Sequence, residues 1–183
     1  MKYVAGKNLF KDYAKKHESL IYQYRKGDLS KREYISESHK LLIQFEAKPF
    51  VYVDSFDKAV FNYQYYNTMA KYSHMIAEKL FANEKHKELS RSYITRKDKY
   101  YRKKDQMIWK AVHLENFIGV EAYYIKVTSR FLKNTLFEVI FDQHPMIVFH
   151  STGVWLKERL IDEKVFVQGL RESIIDQYVN QTY

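Results

Sequence analysis

The stretch that decides the fold runs from Asp54 to Phe81, DSFDKAVFNYQYYNTMAKYSHMIAEKLF. On a helical wheel of 100° per residue its apolar side chains form two neighbouring stripes. One stripe holds Phe61, Tyr65, Met69, Tyr72 and Ile76, and the other holds Phe56, Ala59, Tyr63, Tyr66, Ala70, Ala77 and Phe81. Because the two stripes cover more than half of the circumference, this helix should be central, with other elements packed on two sides.

The polar residues of the same stretch predict which side stays uncovered. A single strip, expected to face solvent or a partner, contains Asp57, Gln64, Asn67, Lys71 and Glu78. Asn62 falls between the apolar stripes, where we expect its amide to be buried and hydrogen-bonded, because an unpaired buried amide costs about 1 to 3 kcal/mol. The tyrosines and amides of residues 62–67 fit either a satisfied core or the lining of a ligand pocket, and the sequence leaves both interpretations open.

The N-terminal part predicts a helical hairpin. Apolar residues spaced three and four apart indicate a helix from Leu9 to Lys26, and Gly27 suits a left-handed cap at its end. Ser30-Lys31-Arg32-Glu33 has the form of a capping box and should start a second, antiparallel helix that ends at Pro49. Residues 20–42 also resemble a short helical-hairpin module of bacterial proteins, although Arg32 stands where that module has its first acidic residue.

The pattern changes along the second half of the chain. A third helical region should run from about Asn83 to Phe117, but its polar middle, residues 94–107, either projects into solvent or breaks into a loop. After Gly119 the apolar residues alternate with a period of two, which predicts strands near 120–127, 136–141 and 146–150. The short links between these runs favour an antiparallel three-stranded meander.

These elements predict a single α+β domain over residues 1–183. Residues 1–118 should be mainly helical, residues 119–150 should form the antiparallel β meander, and residues 151–183 should form C-terminal helices. In this prediction the helical hairpin and the long central helix pack with the small sheet, because three strands alone bury too little apolar surface.

Composition restricts the class of protein. The chain has 183 residues, 46% of them hydrophobic, so it can bury a core of ordinary size. It has no cysteine and no apolar run of about 18 residues, and we therefore expect a cytoplasmic protein without disulfides or a membrane segment. The net charge is +9, and its basic excess lies in the helical part, which can attract nucleic acid or acidic proteins.

Motifs for common chemistries are weak. His74 and Glu78 are four residues apart on one helix, but a zinc site needs three or four ligands, so we predict no metal and no cofactor. The chain has no glycine-rich phosphate loop, which excludes P-loop and Rossmann nucleotide binding. His150-Ser151-Thr152-Gly153 lacks the Gly-x-Ser-x-Gly pattern of a nucleophile elbow, and its hydroxyl groups are better explained as helix caps.

One segment resembles a nucleic-acid surface in composition, because it interleaves cations with aromatic rings. Its candidate binding residues are Arg96, Lys97, Tyr100, Tyr101, Arg102, Lys103 and Lys104. Cations of this kind can contact phosphates while tyrosines stack on the bases of a single strand. The alternative is a helix face whose charges only keep it soluble, and no recognised nucleic-acid module surrounds the segment.

Short segments along most of the chain resemble an uncharacterised bacterial family of about this length, a domain of unknown function found chiefly in Gram-positive anaerobes. They are Lys48-Pro49-Phe50, residues 62–67 with Ala70-Lys71, Glu121-Ala122-Tyr123, residues 136–139, His150-Ser151 and residues 173–176. This resemblance implies no activity and no functional residues.

The preferred interpretation of function is a small non-enzymatic protein-interaction or scaffold domain that contacts a protein partner or a second copy of itself. The alternative is a nucleic-acid-binding protein that uses residues 96–104. The third interpretation is an enzyme with a pocket near Asn62, Tyr66 and His150, should these three residues converge.

Overall fold

The computed structural model describes residues 4–116, 123–131, 134–141 and 144–151. Within these described residues, four helices come first: α1 (Val4–Lys26), α2 (Lys31–Gln44), α3 (Phe56–Phe81) and α4 (Lys87–Asn116), with a short 3-10 helix (Glu84–His86) before α4. Three strands follow: β1 (Tyr123–Phe131), β2 (Asn134–Phe141) and β3 (His144–Ser151). The chain divides into two compact units, residues 1–53 with 60–107 and residues 54–59 with 108–183.

The predicted α+β fold class is wrong, because the described chain is mostly helical. The four helices are 23, 14, 26 and 30 residues long, whereas each strand has only eight or nine residues. Much of the difference comes from α4, which is helical through residues 94–107, whereas the polar composition of these residues is also compatible with a loop. The helices predicted after Ser151 lie outside the described residues, and the single domain over 1–183 stays a prediction.

The hairpin of α1 and α2 forms at the predicted turn. Gly27 has φ 88°, in the left-handed region that glycine adopts without a steric penalty. The Gly27 N–H donates to the Tyr24 carbonyl at 3.2 Å and the Asp28 N–H donates to the Gln23 carbonyl at 3.0 Å, which is the Schellman arrangement. The predicted stop at Gly27 is confirmed.

The capping box at the start of α2 is confirmed as well. The Ser30 hydroxyl accepts from the Glu33 N–H at 3.3 Å, and the Glu33 carboxylate accepts from the Ser30 N–H at 2.8 Å. These two bonds satisfy backbone donors that the first turn of a helix leaves without partners. Hydrogen bonds to the Glu33 carboxylate, first from the Ser30 side chain and then from the Ser30 backbone N–H, hold the pKa of this exposed carboxyl below its usual value.

The end of α2 differs from the prediction, since the helix stops at Gln44 and not at Pro49. Glu46 has φ 47°, the same left-handed conformation that Gly27 adopts after α1. Its N–H donates to the Ile43 carbonyl at 2.9 Å, and the Ala47 N–H donates to the Leu42 carbonyl at 2.9 Å. A second Schellman arrangement, with glutamate in the glycine position, therefore ends α2 before proline is reached.

Helix α4 has an inward side that a count of apolar residues does not reveal. Buried and half-buried positions recur at intervals of three and four residues: Ser90, Tyr93, Lys97, Tyr100, Lys104 and Met107. Ser90 is 1% exposed, and its hydroxyl donates to the Ala77 carbonyl of α3 at 2.9 Å. The inward side thus consists largely of serine, tyrosine and lysine, whose rings and aliphatic stems pack while their polar ends find partners or reach water.

The apolar core of the helical unit lies where α1, α2 and α3 meet. Tyr13, Leu41, Leu42 and Phe61 form one buried cluster. The ring of Tyr13 meets the ring of Phe61 edge to face, with 5.5 Å between their centroids, and it meets Phe45 in the same way at 6.1 Å. Each such ring pair contributes about 0.5 to 1.5 kcal/mol beyond the stabilisation from the area that it buries. Because Tyr13 of α1 shares the buried cluster with Leu41 and Leu42 of α2 and with Phe61 of α3, it connects all three helices.

In the second unit, β2 pairs antiparallel with β1 on one side and β3 on the other. A register shift interrupts the first pairing between Val127 and Ser129. Phe149 of β3 is fully buried, and the ring of Phe56, from the first turn of α3, meets it edge to face at 5.9 Å. Phe56 also stacks on His144 at 4.0 Å, so this end of α3 belongs to the second unit.

We predict that Ser30→Ala lowers the free energy of unfolding by about 1 kcal/mol, because it removes the hydroxyl that caps the Glu33 N–H. Urea unfolding followed by circular dichroism measures the change. Ser30→Asp is the matched variant, since a carboxylate also caps well, and it should retain most of the stability. Equal stability of Ser30→Ala and the parent protein would show that the capping box contributes nothing.

Candidate functional site

The seven basic and aromatic candidates of residues 96–104 do not share one surface. Arg96 and Arg102 are exposed, whereas Lys97, Tyr100, Tyr101 and Lys103 are half-buried. Lys104 is only 5% exposed. Because α4 is a continuous helix, neighbouring residues of this segment point in different directions, and only part of the set faces solvent.

The aromatic rings of this segment already contact protein groups. Tyr100 stacks on Tyr66 of α3, with 6.3 Å between centroids and 26° between ring planes. The ammonium group of Lys104 lies 5.5 Å from the ring centroids of both Tyr63 and Tyr101. These distances are within the range of cation–π attraction. Nucleic-acid binding by the segment stays a prediction, and its exposed cations are the part available for phosphate contacts.

Asn62 of α3 is buried and hydrogen-bonded, as predicted, with 1% of its surface exposed. Its Oδ1 atom accepts from the Phe50 N–H at 2.7 Å, and its Nδ2 atom donates to the Phe50 carbonyl at 2.8 Å. The side-chain amide therefore pairs with this peptide backbone as a neighbouring strand would. Replacing Asn62 with alanine removes both bonds, at a cost of about 1 to 3 kcal/mol.

The residues after Phe50 form an exposed apolar loop, which we define as Phe50, Val51 and Tyr52. Val51 is 88% exposed and Tyr52 is 83% exposed. Phe50 itself is partly covered, because its ring meets Phe61 edge to face at 5.3 Å. The apolar loop is thus fixed at one end by Asn62 and Phe61, while its next two side chains extend into water.

The three predicted pocket residues, Asn62, Tyr66 and His150, are divided between the two units. Asn62 and Tyr66 belong to the helical unit, where Tyr66 is 8% exposed and lies under the ammonium group of Lys103 at 5.4 Å. His150 belongs to the second unit, where its Nδ1 atom is 3.8 Å from Oε1 of Glu138 on the neighbouring strand. The pocket stays a prediction, and the Asn62 amide is engaged by the backbone of Phe50.

A polar group inside the helical unit was not predicted from the sequence. We define it as the Lys71 cluster: Tyr13 and His17 of α1, Tyr34 of α2, Lys71 of α3 and Lys104 of α4. His17 stacks on Tyr13 with 5.7 Å between centroids and lies 6.3 Å from the ring of Tyr34. The ammonium group of Lys71 is 6.0 Å from the same Tyr34 ring.

Burial shifts the pKa of each titratable member of the cluster in the direction that favours the neutral form of that group. For His17 burial, followed by the charge of Lys71, lowers the pKa to about 4. For Lys71 burial, followed by the charges of Lys104 and Lys31, lowers the pKa. Burial also lowers the pKa of Lys104, although Asp105, with Oδ1 at 3.3 Å from the ammonium group, opposes that shift.

The helical wheel predicts that Lys71 lies on the strip of α3 that faces solvent or a partner, whereas in the structure Lys71 is half-buried. The reason is that Tyr34 of α2 and Lys104 of α4 both lie near it. A helical wheel gives the direction in which a residue points from its own helix. It does not show whether a neighbouring helix is long enough to cover that residue. Because the sequence leaves residues 94–107 open as either helix or loop, it gives no signal for this cluster.

His74 and Glu78, the two metal-ligand candidates of α3, lie in the described part of the chain. His74 Nε2 lies 3.3 Å from Glu78 Oε1, and both side chains are about half exposed, so the pair is a contact on the surface of α3. No group of three or more metal-ligating side chains occurs among the described residues. Within the same residues, no helix combines the length and apolar character needed to cross a bilayer.

We predict that the protein loses stability between pH 6.5 and pH 4 because His17 is buried in its neutral form. The unfolded chain binds a proton on His17 near pH 6.5, whereas the folded chain does so only near pH 4. Since the unfolded state binds more protons in this window, the free energy of unfolding falls as pH falls, by up to about 3 kcal/mol from this residue.

Urea unfolding at several pH values between 7 and 4 measures this loss, with His17→Phe as the comparison, because phenylalanine keeps a ring beside Tyr13. The variant should lose markedly less stability over the same range. Carboxyl groups with lowered pKa values, such as those of Glu33 and Asp54, titrate alike in both proteins. Parallel pH dependence of the two proteins would contradict the prediction.

Comparison with known proteins places the chain in a family. No curated protein and no solved structure matches it. A family model described as "Family of unknown function (DUF6648)" matches residues 3–183, nearly the whole chain. The resemblance to an uncharacterised family of about this length is therefore confirmed, and the chain belongs to the family of unknown function DUF6648.

Proposed function

We propose that this chain is a non-enzymatic protein-interaction domain that self-associates through the apolar loop Phe50, Val51 and Tyr52. The observation that supports this proposal is the exposure of Val51 and Tyr52, 88% and 83%, directly after a residue whose backbone is fixed by Asn62. Two adjacent apolar side chains that are exposed beside a backbone fixed by hydrogen bonds can serve as a contact surface.

Physical chemistry favours such a loop as a binding element. A protein contact loses less conformational entropy when the loop is already ordered, and the two bonds from Asn62 order the backbone at Phe50. Tyrosine is among the residues that contribute most to binding energy at the centre of interfaces. Tyr52 therefore suits the role of an anchor that inserts into an apolar site on the partner.

The charges beside the apolar loop support a second copy of the chain as the partner. Glu46 and Lys48 are both exposed and precede the loop, so one surface carries both signs. In a dimer with twofold symmetry the same patch meets itself, and Glu46 of one copy can face Lys48 of the other. The net charge of +9 opposes association at long range, so added salt should strengthen the dimer.

Sedimentation velocity over a wide range of protein concentrations tests the proposal. We expect the parent protein to form a concentration-dependent dimer and the double variant Val51→Ser, Tyr52→Ser to dissociate at least about tenfold more readily, since a buried tyrosine anchor is lost. Phe81→Ser is the control, because Phe81 is 66% exposed and lies outside the apolar loop.

A photo-crosslinking amino acid at position 52 gives an independent reading. It should join two copies of the chain, whereas the same group at the exposed position 79 should not. A parent protein that remains monomeric at every concentration and forms no crosslinked dimer would overturn self-association through this loop.

Nucleic-acid binding is the second candidate function, and one observation favours it. Arg96, Lys99 and Arg102 are all exposed and follow each other at intervals of three residues on α4. A row of cations at this spacing can follow a phosphate backbone. Against strong binding, the neighbouring rings of Tyr100 and Tyr101 already contact Tyr66 and Lys104 and are half-buried.

We predict that single-stranded DNA binds only weakly at physiological salt, because stacking on Tyr100 and Tyr101 is hindered. Fluorescence anisotropy at several salt concentrations measures affinity. Each phosphate contact should steepen the fall of log affinity with log salt by about 0.7. Tight, saturable binding whose salt dependence becomes shallower in Arg96→Gln and Arg102→Gln, but not in the exposed control Lys79→Gln, would favour the nucleic-acid function over self-association.

A further inference from the structure

The Lys71 cluster contains two buried polar atoms that have no hydrogen-bond partner among the described residues. Tyr13 is 4% exposed and His17 is 5% exposed. Among the described residues, neither the Tyr13 hydroxyl nor His17 Nε2 has a hydrogen-bond partner. Buried polar atoms of native proteins are nearly always paired with protein, water or a ligand, so two such atoms in stacked rings indicate that something else can bind there.

The charges of the cluster have one sign around Lys71. Its charged neighbours are Lys104 and Lys31, and within the described part of the chain no carboxylate pairs with it. Lys104, by contrast, has Asp105 beside it, with 3.3 Å between the ammonium group and Oδ1. A half-buried ammonium group that faces two other cations is costly unless a negative charge compensates it.

We propose that the Lys71 cluster binds a small oxyanion of the phosphate class, held by the ammonium group of Lys71, the Tyr34 hydroxyl and the donors of Tyr13 and His17. Lysine binds phosphate as a point charge, and hydroxyl and imidazole N–H groups complete the coordination by donating hydrogen bonds. A neutral His17 donates from Nε2 in one of its two tautomers.

The exposure of the members gives the anion a way in. Lys71 and Tyr34 are half-buried and Lys31 is exposed, while Tyr13 and His17 are almost fully buried. An anion would therefore meet Lys31 and Lys71 first and the α1 donors last. The competing explanation is that the Lys71 ammonium group reaches water along its aliphatic stem and binds nothing.

Thermal unfolding of the full chain in sodium phosphate, with sodium chloride added to keep the ionic strength constant, separates these explanations. If the cluster binds the anion, the unfolding midpoint rises with phosphate and the rise follows a saturable isotherm, since a ligand that binds only the folded state stabilises it. Phosphate also stabilises proteins generally by exclusion from their surface, but that effect does not saturate and does not depend on Lys71.

Three variants locate the site. Lys71→Met should abolish the saturable rise while folding at least as stably without phosphate, because it removes a half-buried cation that no carboxylate pairs with among the described residues. Tyr34→Phe should weaken phosphate binding by about three- to tenfold through the loss of one hydrogen bond. Lys79→Met, which removes an exposed lysine from the same helix, should respond as the parent protein does.

A second probe, phenyl phosphate, shows which form of the anion binds. Binding of both probes supports a site open enough for phosphate esters, and binding of phosphate alone supports an enclosed site for the free ion. Should Lys71→Met fail to fold, phosphorus NMR titration of the parent protein and Tyr34→Phe decides the matter. Equal, non-saturating responses in the parent protein, Tyr34→Phe and Lys79→Met would overturn the proposal.

Discussion

The pair of hydrogen bonds between Asn62 and the Phe50 backbone fixes the path of the chain between α2 and α3. The segment has no regular secondary structure of its own, and its backbone groups need partners wherever they leave water. By pairing with both polar groups of one peptide residue, the amide attaches this segment to α3, and the ring of Phe50 then packs on Phe61. The core and the apolar loop both depend on that attachment, because the ring of Phe50 packs against the core residue Phe61 and Phe50 is also the first residue of the apolar loop.

The sequence predicts local structure where the required residue type is specific. Gly27 and Ser30 occupy positions that favour glycine and serine for steric and hydrogen-bonding reasons, so both ends of the first turn could be located. Asn62 could be located because an amide between two apolar stripes must find partners. Glu46 could not, since its left-handed conformation costs about 1 to 2 kcal/mol for a residue with a side chain. Hydrogen bonds from Glu46 and Ala47 to the last turn of α2 offset that cost, and no residue pattern announces them.

The fold class and the Lys71 cluster were missed for one common reason. The spacing of apolar residues does not reveal the inward side of α4, because that side uses Ser90, Lys97 and Lys104, which are polar residues. Lysine can line a helix interface because its four methylene groups pack while its ammonium group finds an aromatic ring or a carboxylate, as Lys104 does with Tyr63 and Asp105. Because the sequence leaves residues 94–107 open as either helix or loop, it underestimates the helical content and does not place Lys104 beside Lys71.

The apolar loop and the Lys71 cluster are joined by a continuous series of ring contacts. Phe50 meets Phe61 at 5.3 Å, Phe61 meets Tyr13 at 5.5 Å, and Tyr13 stacks on His17 at 5.7 Å. Spatial continuity alone does not make two sites communicate, since that requires an element with two arrangements. It does mean that substitutions at Phe50 and His17 act on one packed network, where effects on stability are not additive. A change in dimerisation caused by a variant of the cluster is therefore evidence of coupling only when the loss of stability, measured separately, is too small to explain it.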